Sequence, residues 1–393
     1  MIYLDWAASA IPYADEIEAA YREATAVFAN PSAQHRFGKD ARAMLENARS
    51  RCAAVLGVSP ETLYFTSGAS ESNSLVLLSL LTRPSAGSLV ISTIEHPSVR
   101  EQAAVLEHCG WAVLTAPSDK NGCITPDAVL HTLRADTMLV AIMGVNNEVG
   151  SVQPVREIAR ALKAHTAGKR PVHFHADMVQ SIGKLPIAEL GLADVDSASM
   201  SAHKIGGPRG IGLLYLKQPF SSGIRGGSQE HNIRPGTENL AGACALARCL
   251  EKTYTDFEQK FERAGELSRF LIEALHRLPE CSVIPAARIS ADMAEAPALA
   301  EASPRAFSPW IIQVSFKNVP AEIMTRCLSD RGIFVSAGSA CSSKKKNRPI
   351  LAALSVSPEI AQNAIRISIG HSTEKSDLEQ LIAAVTEIVK DFN

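Results

Sequence analysis

Lys204 stands in Ser199-Met200-Ser201-Ala202-His203-Lys204-Ile205-Gly206-Gly207-Pro208-Arg209-Gly210, after a strand and ahead of a glycine-rich turn. A lysine taken out of water has a depressed pKa and can become a nucleophile toward a carbonyl carbon. Seen alone, it reads as an ordinary solvated loop lysine. Upstream, His175-Ala176-Asp177-Met178-Val179-Gln180 closes another strand and puts an acid at its end. Such an acid can ligate a metal, act as a base, or partner a protonated ring nitrogen. His173 and His175 fall on one side of that strand, but two histidines and one acid with no further ligand in register make a weak metal site. No metal is therefore expected, and His173 reads as a core histidine. A third segment, Thr66-Ser67-Gly68-Ala69-Ser70-Glu71-Ser72, lies between a strand and a helix. Its small residues let backbone N–H groups approach an anion, with the positive end of a helix dipole behind them. Alone it is a serine N-cap, and it lacks the G-x-x-x-x-G-K-[ST] pattern of a nucleotide-binding loop.

Together these three segments say more than each does separately. A lysine that can form an imine, an acid that keeps a ring nitrogen protonated and a cradle for a phosphate are what pyridoxal phosphate needs. A fourth feature is a thiol. Cys341 sits in Val335-Ser336-Ala337-Gly338-Ser339-Ala340-Cys341-Ser342-Ser343, whereas a buried structural cysteine normally lies in an apolar periodic segment. The small-residue context favours an exposed, reactive thiol. A free thiol with pKa ~8.5 holds only a few per cent thiolate at neutral pH, and the ammonium groups of Lys344, Lys345 and Lys346 would raise that fraction. Those lysines also read as a plain solvated loop, or as a basic patch for an acidic acceptor protein. The other seven cysteines read as small core or surface residues.

The elements that must position these groups form an α/β pattern. Strand-like runs at 63–65, 89–92, 112–114, 138–143, 172–176 and 211–216 alternate with helical spacing at 70–81, 126–133 and 155–165. This order implies a mostly parallel sheet, with ligands gathered at the carboxyl ends of its strands. Beyond Gly236, residues 239–278 read as one or two long helices, and 286–309, rich in Ala, Pro and Ser, as a surface insertion. Strand-like runs at 311–316 and 364–369 and helical patterns at 321–331 and 376–389 suggest a second, smaller α/β domain. The expected division is a large domain over 13–250 and a small one built from 1–12 and 251–393.

The chain has 393 residues, 46% of them hydrophobic and 20% charged, and 39 basic against 41 acidic side chains give a net charge of −2. That length supports a large core. The near-neutral balance provides no whole-protein field for nucleic acid or anionic lipid, so neither partner is expected. The N-terminus has no basic segment followed by an apolar stretch, and no apolar run approaches the ~18–20 residues of a spanning helix. Eight cysteines without a C-x-x-C pair argue against a disulfide scaffold or zinc ribbon and for a reducing, cytoplasmic compartment.

The sequence resembles the cysteine desulfurases, pyridoxal-phosphate enzymes of the class V aminotransferase group with the fold-type I architecture. The likeness runs over nearly the whole chain. It includes Tyr3-Leu4-Asp5-Trp6-Ala7-Ala8, Asn30-Pro31-Ser32, Phe65 to Asn73, Glu95-His96, Asn146-Asn147-Glu148-Val149-Gly150, His175-Ala176-Asp177 and Ser201-Ala202-His203-Lys204. It continues through Gly226-Gly227-Ser228-Gln229-Glu230, Arg234-Pro235-Gly236-Thr237, Gly338-Ser339-Ala340-Cys341-Ser342 and Ile365-Arg366-Ile367-Ser368-Ile369-Gly370.

The resemblance implies Lys204 as the Schiff-base lysine and likeliest α-proton base, Asp177 on the pyridinium nitrogen and Gln180 on the ring oxygen. Ala69, Ser70, Ser201 and His203 would hold the phosphate, and Thr237 would reach the phosphate site of the other subunit of a homodimer. His96 would stack on the ring and move protons. Asn147 and Arg366 would fix the substrate carboxylate; a guanidinium suits a carboxylate bidentately in any family, although Arg366 alone also reads as a surface charge. The implied reaction turns L-cysteine into L-alanine and leaves a persulfide on Cys341. The sulfur would pass to an acceptor protein such as an iron–sulfur scaffold, or toward tRNA thiolation. Selenocysteine lyase and aminotransferase are alternatives on the same fold, and a silent sulfur-scaffold or regulatory protein is the non-enzyme alternative. Cys341 argues against transamination, which needs no thiol nucleophile. Two departures are His371, where many relatives carry Arg, and the length of 286–309.

Overall fold

The computed structural model describes residues 1–293, 305–338 and 348–392. A seven-stranded sheet is built from Leu63–Thr66 (β1), Ser88–Ser92 (β2), Ala112–Ala116 (β3), Thr137–Ala141 (β4), His173–Asp177 (β5), Ser197–Ser201 (β6) and Gly212–Leu216 (β7), in the spatial order β1-β7-β6-β5-β4-β2-β3. All neighbours are parallel except β7, which runs antiparallel to both β1 and β6. β1, β2 and β7 are buried along their whole length, as expected of a sheet covered on both faces. Helices supply the cover. Val155–His165 buries Val155, Ile158, Ala159 and Leu162, an i, i+3, i+4, i+7 stripe on one face. Among the described residues no helix is long and apolar enough to cross a membrane.

A second sheet of three antiparallel strands, Cys281–Ile284 (β8), Ile311–Phe316 (β9) and Ala364–Ser368 (β10), has the order β10-β9-β8. The N-terminal segment belongs to this end of the molecule. Ile2–Tyr3 pairs in parallel with Ile333–Phe334, and Leu4 O accepts from Ser368 N at 2.8 Å. The 239–278 region forms two helices, Leu240–Tyr254 and Phe257–His276, divided at Asp256 with φ of 51°.

The described ends of the 286–309 stretch are only partly the surface insertion its composition suggests: Ala286, Ala287, Ser290, Ala291 and Ala306 are exposed, whereas Arg288, Phe307, Ser308 and Pro309 are buried. Arg288 is fully buried. It donates to Ser308 O at 2.8 Å, Val149 O at 3.3 Å and Ser268 Oγ at 3.2 Å, and lies over the Phe307 ring. Ser308 N in turn donates to Gly150 O at 2.7 Å. One arginine in a polar stretch thus ties it into the core, a role that apolar counting cannot detect. Residues 294–304 lie outside the described residues.

Candidate active site

The carboxyl ends of the large sheet's strands converge on one cavity of about 490 Å³. β1 ends at the turn into the helix Ala69–Leu78 (α1). β2 leads to Glu95 and His96, β4 to Met143 and Asn147, β5 ends on Asp177, and β6 delivers Ser201, His203 and Lys204. Arg366 comes from β10, and the carbonyls of Ala7 and Ala8 come from the N-terminal segment. Ala69, Ser70, His96, Asn147, Asp177, Gln180, Ser201, His203, Lys204 and Arg366 therefore line a single space. Thr237 does not. It is exposed and outside that lining. Cys341 and Lys344–Lys346 lie outside the described residues.

Lys204 follows β6 in a short 3-10 turn, and its Nζ donates to Ala7 O and Ala8 O, both at 2.8 Å. Asp177 is buried and held by both oxygens: Oδ2 accepts from Asn73 Nδ2 at 2.9 Å and Oδ1 from Val179 N at 3.1 Å. Asn73 Nδ2 also donates to Ser98 Oγ at 2.8 Å, and Asn73 Oδ1 faces His175 Nε2 at 2.9 Å. These partners fix the protons. An amide oxygen only accepts, so His175 carries its hydrogen on Nε2 and its Nδ1 accepts from Ser197 Oγ at 2.8 Å. Burial pushes the His175 pKa down to about 3, so the ring is neutral. With Ser98 Oγ accepting from Asn73, its hydroxyl donates to His96 Nδ1 at 2.8 Å, and Ser98 N donates to the same atom at 3.1 Å. His96 is also the N-cap of the helix Pro97–His108. Burial lowers its pKa, against the opposing pull of Asp177, which leaves a neutral ring with its hydrogen on Nε2.

Asn73 is thus a hub joining His96, Asp177 and His175, and residue-type reasoning gave it no role. Asn73→Ala should leave a buried carboxylate oxygen and the His175 N–H unpartnered, each costing about 1–3 kcal/mol. A fall in unfolding free energy of about 3 kcal/mol is expected in denaturant titrations; a change under about 0.5 kcal/mol would mean the hub holds nothing in place.

α1 starts at Gly68 with no side-chain cap, although Glu71 accepts from Ser67 N one turn on. Gly68 adopts φ of 149°, open to glycine and strained for other residues. The uncapped N–H groups of this turn, where Ala69 is buried but Ser67 and Ser70 are exposed, suit an anion. His203 bonds Ser9 Oγ through Nδ1 at 3.3 Å, and burial, then Lys204 and Arg209, push its pKa down to about 4. Arg366 is buried: Nη1 donates to Asn147 O and Nη2 to Asp5 Oδ1, both at 2.8 Å. Its Nε, Asn147 Oδ1 and Ser199 Oγ are buried without partners.

Two outer contacts brace the phosphate-type turn. Glu230 accepts from Arg49 Nη1 and Nη2 at 2.7 and 2.9 Å and from Phe65 N at 2.7 Å. This buried pair holds the loop at Glu230, His231 and Asn232, all in left-handed backbone with φ of 45°, 52° and 67°, conformations that persist only where surroundings enforce them. Arg234 reaches Glu71 at 3.1 Å. Residue 371 stacks on Tyr13 with centroids 5.0 Å apart and meets Trp6 edge-on, and burial lowers its pKa. His371 is an aromatic packing group.

The described flanks of the Cys341 segment meet the same cavity wall. Ser336 and Arg366 exchange backbone hydrogen bonds at 3.1 and 2.7 Å. On the far side Arg348 donates to Ala364 O at 3.2 Å and lies 3.6 Å from Glu148, next to Asn147.

A parallel sheet that delivers a lysine, an acid and an uncapped helix start to one cavity defines an α/β enzyme, and the fold is the mostly parallel architecture found in NifS-like proteins. The chain belongs to the aminotransferase class-V family, which matches residues 2–381. It groups with proteins named as cysteine desulfurases. A NifS/IcsS protein homolog of Lactobacillus delbrueckii subsp. bulgaricus is 34% identical over 100% of this chain and 98% of that protein. The cysteine desulfurase IscS of Dictyoglomus turgidum is 33% identical over 99% of this chain and 94% of that protein. Among solved structures, a NifS-like protein has a TM-score of 0.86 at 30% identity, covering 99% of both chains. A structure of SspA in complex with cysteine has a TM-score of 0.77 at 28% identity, covering 94% of this chain and 99% of that one.

Proposed function

We propose that the chain binds pyridoxal 5′-phosphate in this cavity and converts L-cysteine to L-alanine, with Cys341 receiving the sulfur for delivery to an acceptor protein. The observation that carries this reading is the root of the Cys341 segment. Its described flanks, Ser336 and Arg348, are bonded to residues 366 and 364 of the strand that bears the buried guanidinium.

The donor set fits the cofactor. The open start of α1, with Ser201 and His203, offers neutral donors and the positive end of a helix dipole to a phosphate, and Asp177 is oriented to accept from a ring N–H. When bound, pyridoxal phosphate supplies an electron sink for charge developing at the substrate α-carbon. Lys204 anchors the cofactor and moves the α-proton. The neutral His96 holds a proton on Nε2 at the cavity wall. Arg366, pinned by Asn147 O and Asp5, lines the cavity and offers its guanidinium to the substrate carboxylate. The Cys341 thiolate attacks the substrate sulfur. An S–S bond forms as the C–S bond breaks, and the electron pair stays on the carbon fragment, which takes up a proton and leaves as alanine. Incubation with L-cysteine, and in parallel with L-selenocysteine, tests this: alanine should appear in step with persulfide or sulfide. No alanine from the loaded protein would overturn the reading.

A homodimer completes the proposal. Thr237 is exposed on a loop tethered to α1 through Arg234 and Glu71, and it would serve the partner's phosphate. Thr237→Ala should weaken cofactor retention by roughly tenfold or more, the loss of one charge-assisted hydrogen bond. Mixing Thr237→Ala and Lys204→Ala subunits should regenerate one intact site per heterodimer and recover up to half the wild-type activity. No recovery would place Thr237 on its own subunit's site.

A further inference from the structure

Lys184 is buried in the wall behind Lys204, beside Trp6, Trp310 and His371. A lysine so placed is costly unless it is paired, and among the described residues no carboxylate lies in salt-bridge contact with it. Its Nζ instead donates to Gln180 Oε1. Residues 180 and 184 are one turn apart: Ser181 N and Ile182 N donate to Met178 O and Lys184 N donates to Ser181 O. Trp310 Nε1 donates to Lys184 O at 2.8 Å and fixes the turn from outside.

The other end of the Gln180 amide is equally constrained. Its Nε2 donates to Ala7 O at 3.0 Å, and a carbonyl oxygen can only accept. Ala7 O therefore demands the NH2 end, and the Lys184 donor demands the oxygen. Both constraints select the same orientation. One of the two Nε2 hydrogens goes to Ala7 O, which leaves the other for the cavity that Gln180 lines. Ala7 O also accepts from Lys204 Nζ, so Lys184, Gln180, Ala7 and Lys204 form one continuous chain of hydrogen bonds. Burial, with Lys204 and Arg366 nearby, holds the Lys184 pKa well below its ordinary value. Charged or neutral, its amine has a hydrogen to give Oε1.

We propose that Lys184 is a positioning residue that fixes Gln180 as a hydrogen-bond donor toward the cofactor's ring oxygen, so that the cavity favours the deprotonated oxygen there. This rests on the assignment of Gln180 to that oxygen. A charge-assisted hydrogen bond of the usual strength would move the protonation midpoint by about one pH unit.

The test is a spectroscopic titration of the protein loaded with pyridoxal 5′-phosphate, following its visible absorption against pH without substrate. Gln180→Leu should raise the midpoint by about one unit, and Lys184→Met should raise it by a similar amount while Gln180 remains. Lys184→Met on the Gln180→Leu background should add almost nothing, because the effect runs through the amide; a double-mutant cycle isolates this coupling. Lys184→Arg, which keeps a donor, should hold the midpoint near wild type, and it stands in if the Met variant does not fold. An unmoved midpoint in Gln180→Leu would overturn the Gln180 assignment and the proposal with it. A shift in Gln180→Leu but none in Lys184→Met would overturn the proposal alone. So would a Lys184→Met shift that persists undiminished on the Gln180→Leu background, since that is a direct effect of charge. An Arg variant displaced as far as Gln180→Leu would overturn it too.

Discussion

Replacing Lys204 by alanine is expected to lower L-cysteine turnover by about 10⁴-fold or more. Two functions leave together: the covalent anchor of the cofactor and the group that moves the α-proton, the second alone worth about 10²–10⁴-fold. Lys204 sits at the hinge between the two sheets' contributions. Its backbone follows β6, while its Nζ reaches the carbonyls of Ala7 and Ala8, whose segment is bonded to β10 through Leu4 and Ser368. The alanine variant should still fold, because the hydrogen bonds from Lys204 to Ala7 O and Ala8 O face a cavity that admits water. The checks are alanine production and retention of the yellow cofactor through dialysis, and the variant should fail both. A small alkylamine added to it should restore part of the proton transfer by supplying the missing base. Turnover within tenfold of wild type would sink the assignment of Lys204.

Much of this architecture was legible in the residues, for a definable reason. Strands such as Ser88–Ser92 and helices such as Val155–His165 carry their periodicity in side chains that are themselves buried, so pattern and packing coincide. Ser197–Ser201 shows the opposite. It is buried along most of its length yet reads Ser-Ala-Ser-Met-Ser, with no β-branched or apolar run, and only its place ahead of Lys204 suggested a strand. Cys281–Ile284 is short and half exposed, with too short an apolar run in its sequence to mark a strand. The helix Arg36–Leu56 buries Ala41, Ala48, Cys52 and Ala53, and its polar remainder masks that small-residue face.

The site divides in the same way. Groups that touch a ligand are chemically distinctive, and resemblance assigned them by type. The groups that aim them are not distinctive. Asn73 reads as a polar helix residue until its contacts with Asp177 and His175, more than a hundred positions away, are seen. The Ala7 and Ala8 carbonyls carry no residue-type signal at all. Asp5 and Lys184 act through Arg366 and Gln180, respectively. Spacing along the chain does not encode hydrogen bonds that close across the fold.

The largest expected effect after Lys204 lies at Cys341, and the rest of the chain sharpens it by elimination. None of the seven described cysteines lines the cavity. Burial raises the pKa of five of them: Cys52 and Cys244 move up, Cys123 rises to about 11, and Cys249 and Cys281 rise to about 12. A thiol held protonated at neutral pH is a poor nucleophile toward sulfur. Cys109 is exposed and Cys327 half-buried, so these two are the competitors to watch. Cys341→Ser should still bind the cofactor and take up L-cysteine, since the cavity residues are untouched. It should lose alanine formation by about a thousandfold or more, roughly 4 kcal/mol of barrier, because a serine hydroxyl is essentially un-ionised at neutral pH and attacks sulfur far more weakly than a thiolate. Wild-type protein quenched after brief exposure to L-cysteine should carry the extra sulfur on Cys341, read by peptide mass mapping without reductant. Persulfide found mainly on Cys109 or Cys327, or full alanine production by the serine variant, would place the nucleophile elsewhere.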